Sequence, residues 1–140
     1  MANDGGLSSF QRRMRAIPKA ARDAVKPVLE REAEKIADTM RALAPDDPAT
    51  PAPDLKSSIV VTGPGQTTPP YSQPGGAAVV PENAVAITAG NGDVRYPHLQ
   101  EYGTTRHPAQ PFFWPAFRLG RKKAVAAIKR GIGAAIRKSR

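Results

Sequence analysis

The side chains best suited to chemistry in this sequence lie in one segment, residues 98 to 107. His98 and Glu101, with His107 nearby, supply imidazole and carboxylate groups of the kind that hold a metal ion. Their spacing matches no strong metal-binding pattern, and no other ligand cluster supports them. The chain has no cysteine, which excludes disulfides and thiolate metal sites. We therefore predict no metal or cofactor, and interpret His98 as a polar residue at a subunit surface.

A catalytic nucleophile is not indicated either. The serines lie in caps and loops and the acids are scattered, so no nucleophile–base–acid set is formed. The glycine-containing stretches at 63–65 and 90–92 lack the strand-to-helix setting of a phosphate-binding loop, and are predicted to be turns. We predict that the protein is not an enzyme.

Residues 97–117 are rich in aromatic residues and proline and are called the aromatic corner below. They hold five of the eight aromatic residues of the chain. We predict an extended stretch around Pro111, in which side chains alternate between two faces, so the rings are not expected to face one way. Some should cap the core, whereas others should point outward and mark an interface. The predicted subunit-interface residues are Tyr71, Tyr102, Phe112, Phe113, Trp114 and Phe117.

The net charge of +9 is concentrated at the C-terminal end. Residues 118–140 hold nine Lys/Arg and no acid, which leaves 12 basic and 12 acidic residues elsewhere. Two interpretations stay open: a solvated helix face, or contact with an acidic partner or with DNA phosphates, independent of sequence. No aromatic follows Phe117, so a stacking platform for single strands is not expected. The candidate contact residues are Arg118, Arg121, Lys122, Lys123, Lys129, Arg130, Arg137 and Lys138.

Helical periodicity is found at both ends of the chain. Residues 8–44 are predicted to form two helices with a break at Ile17-Pro18, the second long and kinked at Pro27. From Pro115 onward a basic helix is predicted. Its apolar arc is expected to contain Val125, Ile128, Ile132 and Ile136, with Gly131 and Gly133 weakening its end.

The middle of the chain, residues 55–96, is predicted to hold a small antiparallel sheet. The β-branched segment 55–63 and the segment 84–88 are the strand candidates, and 63–77 is a long loop or arm. Residues 97–103 are expected to be a short helix or an irregular turn. The predicted fold class is α+β, in a single domain of residues 1–140.

The composition favours a subunit that is completed by neighbours. The composition, with 15 prolines, 12 glycines and an alanine-rich apolar fraction, predicts a thin hydrophobic core. The second predicted helix is also too long for a domain of this size to cover. Self-association would bury the apolar surface that both features leave exposed. There is no apolar run of about 20 residues to span a bilayer. The N-terminus lacks the pattern of a secretion signal, and we expect a protein made and kept inside a cell.

The segment "YPHLQEYGTTRHPAQPFFWPAF" (96–117) resembles the signature of the gene-product-ten-like family of tailed phages. That signature runs from Tyr-Ala to Glu-aromatic-Gly-Thr and then to Pro-Phe-aromatic-x-Pro-Ala, with Pro97 here in place of the alanine. Upstream, Ile17-Pro18, Leu43-Ala44-Pro45 and "DLKSSI" are also similar to the family, although its Thr-Gly pair is absent. The matching signature positions are Tyr96, Glu101, Tyr102, Gly103, Thr104, Pro111, Phe112, Phe113, Pro115 and Ala116.

The resemblance implies a structural virion protein of the neck or tail that assists tail completion or head–tail joining. It implies a ring of identical subunits around the DNA channel, hexameric or dodecameric, assembled in the host cytoplasm. The implied partners are the connector or stopper, the tail terminator and the tail tube, with packaged double-stranded DNA as a further contact and no membrane. The alternative is a free basic protein that binds nucleic acid without sequence specificity.

Overall fold

The computed structural model describes residues 8–9, 12, 15, 19–45, 54–106 and 108–138, with the backbone alone for residues 20 and 21. Three helices and two short strands lie in these ranges, which confirms the α+β class. In chain order the elements are α1 (Lys19–Leu43), a 3-10 helix (Lys56–Ser58), β1 (Val60–Thr62), β2 (Ala86–Thr88), α2 (Pro97–Tyr102) and α3 (Phe113–Lys138).

Helix α1 is the central element of the fold. Its buried residues Val25, Leu29, Ile36 and Met40 recur at intervals of four and seven, which places them on one side of the helix. The predicted long helix is therefore confirmed. Residues 8, 9, 12 and 15 are helical as well, and the predicted break at Ile17-Pro18 lies outside the described residues.

Helix α3 packs closely on α1 at two glycines, and two isoleucines of its apolar arc, Ile128 and Ile132, also pack there. A Cβ added at Gly120 would lie 2.8 Å from Ile36 Cγ1, and one at Gly131 would lie 2.9 Å from Val28 Cγ1. The two helices are antiparallel, because the contact moves toward the start of α1 as α3 proceeds. The predicted apolar arc is confirmed in part: Ile128 and Ile132 are half-buried and pack against the cluster of Val25, Leu29 and Ala135, whereas Val125 is exposed. Gly131 is the residue that permits close packing.

The sheet is a single antiparallel pair in which Val60 lies opposite Thr88, Val61 opposite Ile87 and Thr62 opposite Ala86. Both predicted strands are present but span three residues each. Residues 56–58 turn into a 3-10 helix instead of extending the first strand, because the Asp54 carboxylate accepts a hydrogen bond of 2.9 Å from the Ser57 amide. This bond lowers the pKa of Asp54.

The segment between the strands folds back on itself. Gly65 N donates to Val80 O at 2.9 Å and Val80 N donates to Gln66 O at 2.8 Å. Further along, Gln73 and Ala89 exchange two backbone hydrogen bonds of 2.8 and 3.0 Å. The stretch that was left open as a loop or arm is therefore a loop attached to the end of β2. The turns expected at 63–65 and 90–92 are present, with Gly65 and Gly90 at positive φ.

Candidate functional site: an apolar groove beside a capped helix

An open groove of about 540 Å³ lies between α3 and the sheet. Helix α1 packs against both α3 and the sheet, so it forms the floor with Leu29, Ala33, Ile36 and Met40. One wall is α3 from Trp114 to Ile128, and the other runs from Val80 to Thr88. The volume lies in the range of sites that bury an apolar ligand or a set of side chains.

The groove is lined mostly by apolar atoms and its edges are open. Val79 on the loop side is 68% exposed and Val125 on the α3 side is 42% exposed. Arg121 supplies a cation at the same wall, and Thr88 Oγ1 has no hydrogen-bond partner among the described residues. A lining of this kind suits contact with other apolar surface.

Aromatic rings form the end of the groove nearest the start of α3. Phe113, Trp114 and Phe117 line it and pack edge-to-face, with ring centroids 5.0 Å apart for Phe113–Trp114 and 6.1 Å apart for Trp114–Phe117. Trp114 Nε1 donates to Tyr102 Oη at 2.9 Å, which orients the indole. Rigid rings of this kind contribute contact area at little cost in conformational entropy.

A buried carboxylate holds this aromatic end in place. Glu101 Oε2 accepts hydrogen bonds from the backbone amides of Phe112 at 2.8 Å and Phe113 at 3.0 Å, and Oε1 accepts from Trp114 at 3.1 Å. Pro115 has no N–H to satisfy. The donors left unpaired at the start of α3 are thus all accounted for by one side chain that is 7% exposed. Glu101 is a helix cap, a role that the sequence analysis did not assign.

Other residues of the phage-like signature also help to connect α2 to the capped start of α3. Gly103 ends α2 at φ 77°, and its amide donates to Leu99 O at 2.8 Å. Gln110 N donates to Gln100 O at 2.7 Å, which closes the loop between α2 and α3 and brings Glu101 beneath the α3 terminus. Tyr96 packs against the core and Ala116 is fully buried. Thr104 and Pro111 are exposed, and Pro115 is half-buried.

The structure corrects the expected geometry of the aromatic corner. The extended conformation is wrong from Phe113 onward, because α3 begins there and not at Pro115. Phe112, at 1% exposed, and Phe113 are buried, Trp114 and Phe117 are half-buried, and Tyr102 is 70% exposed. Tyr71 is exposed on the loop, with the Arg95 guanidinium 3.7 Å from its ring centroid. A helical pattern, not strand alternation, thus determines which rings reach the surface.

The residues weighed as metal ligands do not form a site in the described part of the chain. His98 and Glu101 line the same small cavity of about 70 Å³, but both oxygens of Glu101 accept backbone hydrogen bonds. No group of three or more suitable ligands is found among the described residues, and His107 lies outside them.

The eight predicted contact cations of α3 are all exposed. None of them forms an ion pair with a described acid, whereas the ion pairs of α1 join residues within that helix. The buried Glu32 illustrates this: Lys35 Nζ donates to its Oε1 at 3.2 Å, and this hydrogen bond, with a second from Arg31 to Oε2, lowers the pKa of Glu32. Within the described residues, the α3 cations are therefore exposed and not joined to an acid.

Comparison with protein-family models, curated proteins and solved structures gives no match for this chain. No helix within the described residues is both long and apolar enough to span a bilayer. The interpretation of the groove therefore depends on its own geometry.

Proposed function

We propose that this protein is a structural subunit of a tailed-phage virion that acts at the head–tail junction, in neck or tail completion or in head–tail joining. The observation that carries the proposal is the open apolar groove, about 540 Å³ in volume, between α3 and the sheet. A domain that leaves such a groove beside its main core gains stability when a neighbouring subunit covers it.

Two further features support an assembly role. Glu101, a residue of the signature that resembles the phage family, caps the start of α3. The first turns of that helix place Trp114 and Phe117 at the end of the groove. The exposed rings Tyr71 and Tyr102 add surface that suits an interface. In this proposal identical subunits form a ring around the DNA channel, and neighbouring neck and tail proteins lie above and below it.

The test is electron microscopy of particles made without this gene product. We expect full heads and separate tails, because a missing joining or completion component leaves both halves intact but unable to unite. Complementation with the wild-type gene should restore joined particles. Normal virions in its absence would reject the proposal.

The second candidate function is that of a free basic protein that binds nucleic acid without sequence specificity. The observation that favours it is the set of exposed α3 cations without described acidic partners. In the ring the same cations would face packaged DNA or an acidic neighbouring protein. Duplex binding by the isolated chain separates the two, as argued in the Discussion.

A further inference from the structure

We propose that the groove binds an acidic amphipathic helix of another protein. The apolar side chains of that helix fill the groove, and Asp or Glu side chains along one of its flanks face cations of α3. The proposal deepens the proposed function, because it states the chemistry of a neighbouring virion protein. It rests on that function for the presence of such a neighbour.

The charge at the groove is positive and lies at one wall. Arg121 is the one ionisable residue among the described residues that line the groove. Arg118, Lys122 and Lys129 are exposed on the same helix. At 100° per residue they lie within about 60° of Val125, which is at the edge of the groove. Four cations therefore border the α3 side of the groove.

These cations are not neutralised by the described part of their own chain. None of them forms an ion pair with a described acid. The opposite wall, residues 80–88, contains no Lys or Arg and one acid, the exposed Glu82. From Arg118 to Lys129 the cations extend over about 16 Å of α3. A partner with acids on its α3-facing flank thus gains an attraction that a neutral apolar helix lacks.

The shape of the groove suits a helix. It follows α3 from Phe117 to Ile128 and α1 from Leu29 to Met40, about 16 Å or three helical turns in each case. That length accommodates apolar side chains at i, i+4 and i+7, the pattern by which amphipathic helices occupy hydrophobic grooves. A concave apolar surface does not complement duplex DNA, because the exposed backbone of DNA is charged.

No described helix of this chain combines a free apolar face with an acidic flank. Helix α3 contains no acid. The apolar side of α1 lies beneath the groove, and its exposed acids Glu34 and Asp38 pair with Arg41. The one acid of α2, Glu101, caps α3. We therefore assign the occupant to a different protein, which in the proposed ring lies above or below the subunit.

Binding of designed peptides to the full-length chain tests the inference. The probe is a fluorescently labelled, stapled helical peptide of about 18 residues, with leucines at i, i+4 and i+7 and glutamates along one flank. Two matched peptides replace the glutamates by lysines or the leucines by alanines. In fluorescence anisotropy we expect the acidic peptide to bind at least about tenfold more tightly than either matched peptide.

Trp114 reports whether the peptide binds in the groove. It is the single tryptophan of the chain and lines the groove, so its emission should shift to shorter wavelength when the peptide covers it. Val125→Ser should weaken binding at least about threefold, because apolar contact at the groove edge is lost. Leu119→Ser, also exposed on α3 but about 120° away, is the control and should change binding less than about 1.5-fold.

Two charge variants of α3 separate contact at the groove from general attraction. Lys122→Gln/Lys129→Gln removes two cations beside the groove, whereas Lys123→Gln/Arg130→Gln removes two that lie about 140° to 160° from Val125 around the helix. All four side chains are exposed, and circular dichroism checks that both variants fold. We expect the first variant to weaken binding of the acidic peptide at least about threefold and the second less than about 1.5-fold.

Each outcome decides the question. Preferential binding of the acidic peptide, with the Trp114 shift and the selective loss in Lys122→Gln/Lys129→Gln, supports the inference. Equal binding of the acidic and basic peptides overturns it, as do equal weakening by both charge variants, an unchanged Trp114 emission and the absence of peptide binding. Binding of a labelled DNA duplex with Kd of about 10⁻⁶ M, without peptide binding, overturns it in favour of nucleic acid. Electron microscopy of particles made without the gene product decides the proposed function separately.

Discussion

At the scale of single residues, Glu101 determines where α3 begins. Three backbone amides that would otherwise be buried without acceptors converge on its carboxylate at 2.8 to 3.1 Å. The negative charge also lies at the positive end of the α3 dipole, which adds to the stabilisation. Because Glu101 precedes the helix by 12 residues, no local capping pattern identifies it in the sequence.

Glu101→Gln should lower the free energy of unfolding by about 3 kcal/mol, since charge-assisted bonds are lost and an amide NH₂ group faces a backbone donor. Urea unfolding monitored by Trp114 fluorescence measures this, and the emission should shift as the indole loses its fixed environment. Glu82→Gln, at an exposed position, is the control and should change stability by less than about 0.5 kcal/mol. Equal unfolding midpoints for the two variants would refute the capping role.

At the scale of elements, the pairing of α1 with α3 depends on glycine. The close approach of Gly131 to Val28 and of Gly120 to Ile36 leaves no room for a side chain between the helix axes. The apolar arc of α3 is divided: Ile128 and Ile132 pack against the cluster of Val25 and Leu29, whereas Val125 lies at the groove. The same packing thus both stabilises the helix pair and leaves an apolar wall open.

Gly131→Ala and Gly133→Ala should change stability in opposite directions. Both gain about 1 kcal/mol of helix propensity. At Gly131 the new Cβ would lie 2.9 to 3.3 Å from three carbons of Val28, which forces the helices apart at a cost of about 1–3 kcal/mol. At Gly133 it meets only Arg137 Nη1, at 3.5 Å.

Thermal unfolding of the two variants measures the difference directly. We expect a lower Tm for Gly131→Ala than for the wild type and a higher Tm for Gly133→Ala. A higher Tm for both variants would mean that the helices are not packed as closely as described.

At the scale of the whole molecule, charge and apolar surface adjoin each other along α3. Arg121 lines the groove, and the exposed Lys122 and Lys129 lie three and four residues from Val125 at its edge. A partner that covers the groove therefore also comes close to cations, as suits an acidic protein or a ring subunit near DNA.

Duplex binding by the isolated chain should be weak, with Kd near 10⁻⁴ M, about the weak limit of non-specific binding at physiological salt. The physical reason is that one subunit presents few cations to a duplex, whereas a ring presents many. Fluorescence anisotropy with a labelled duplex between about 50 and 200 mM salt measures this.

The charge variant Lys122→Gln/Lys129→Gln should make the salt dependence shallower by about two phosphate contacts. Lys26→Gln, an exposed cation of α1, is the control and should not. A Kd near 10⁻⁶ M for the wild-type monomer would favour the free nucleic-acid-binding protein instead.

Much of the local structure was predictable from the residues alone. The spacing of Val25, Val28, Ile36 and Met40 predicted α1, and the β-branched segment around Val60 predicted β1, because helical and strand periodicities are local properties. The turn at 90–92 followed from its glycines. The confinement of charge to the C-terminal helix could also be read directly.

The tertiary structure decided what the sequence left open: the groove, the role of Glu101 and the packing face of α3. Each depends on residues distant in the chain that meet only after folding, as Gly131 meets Val28 and Glu101 meets the Phe112 amide. Helical periodicity shows that α3 has an apolar side, but it does not show that the glycines of α3 approach α1 most closely. Which residues touch depends on the distance between the two helix axes, which is a property of the folded molecule.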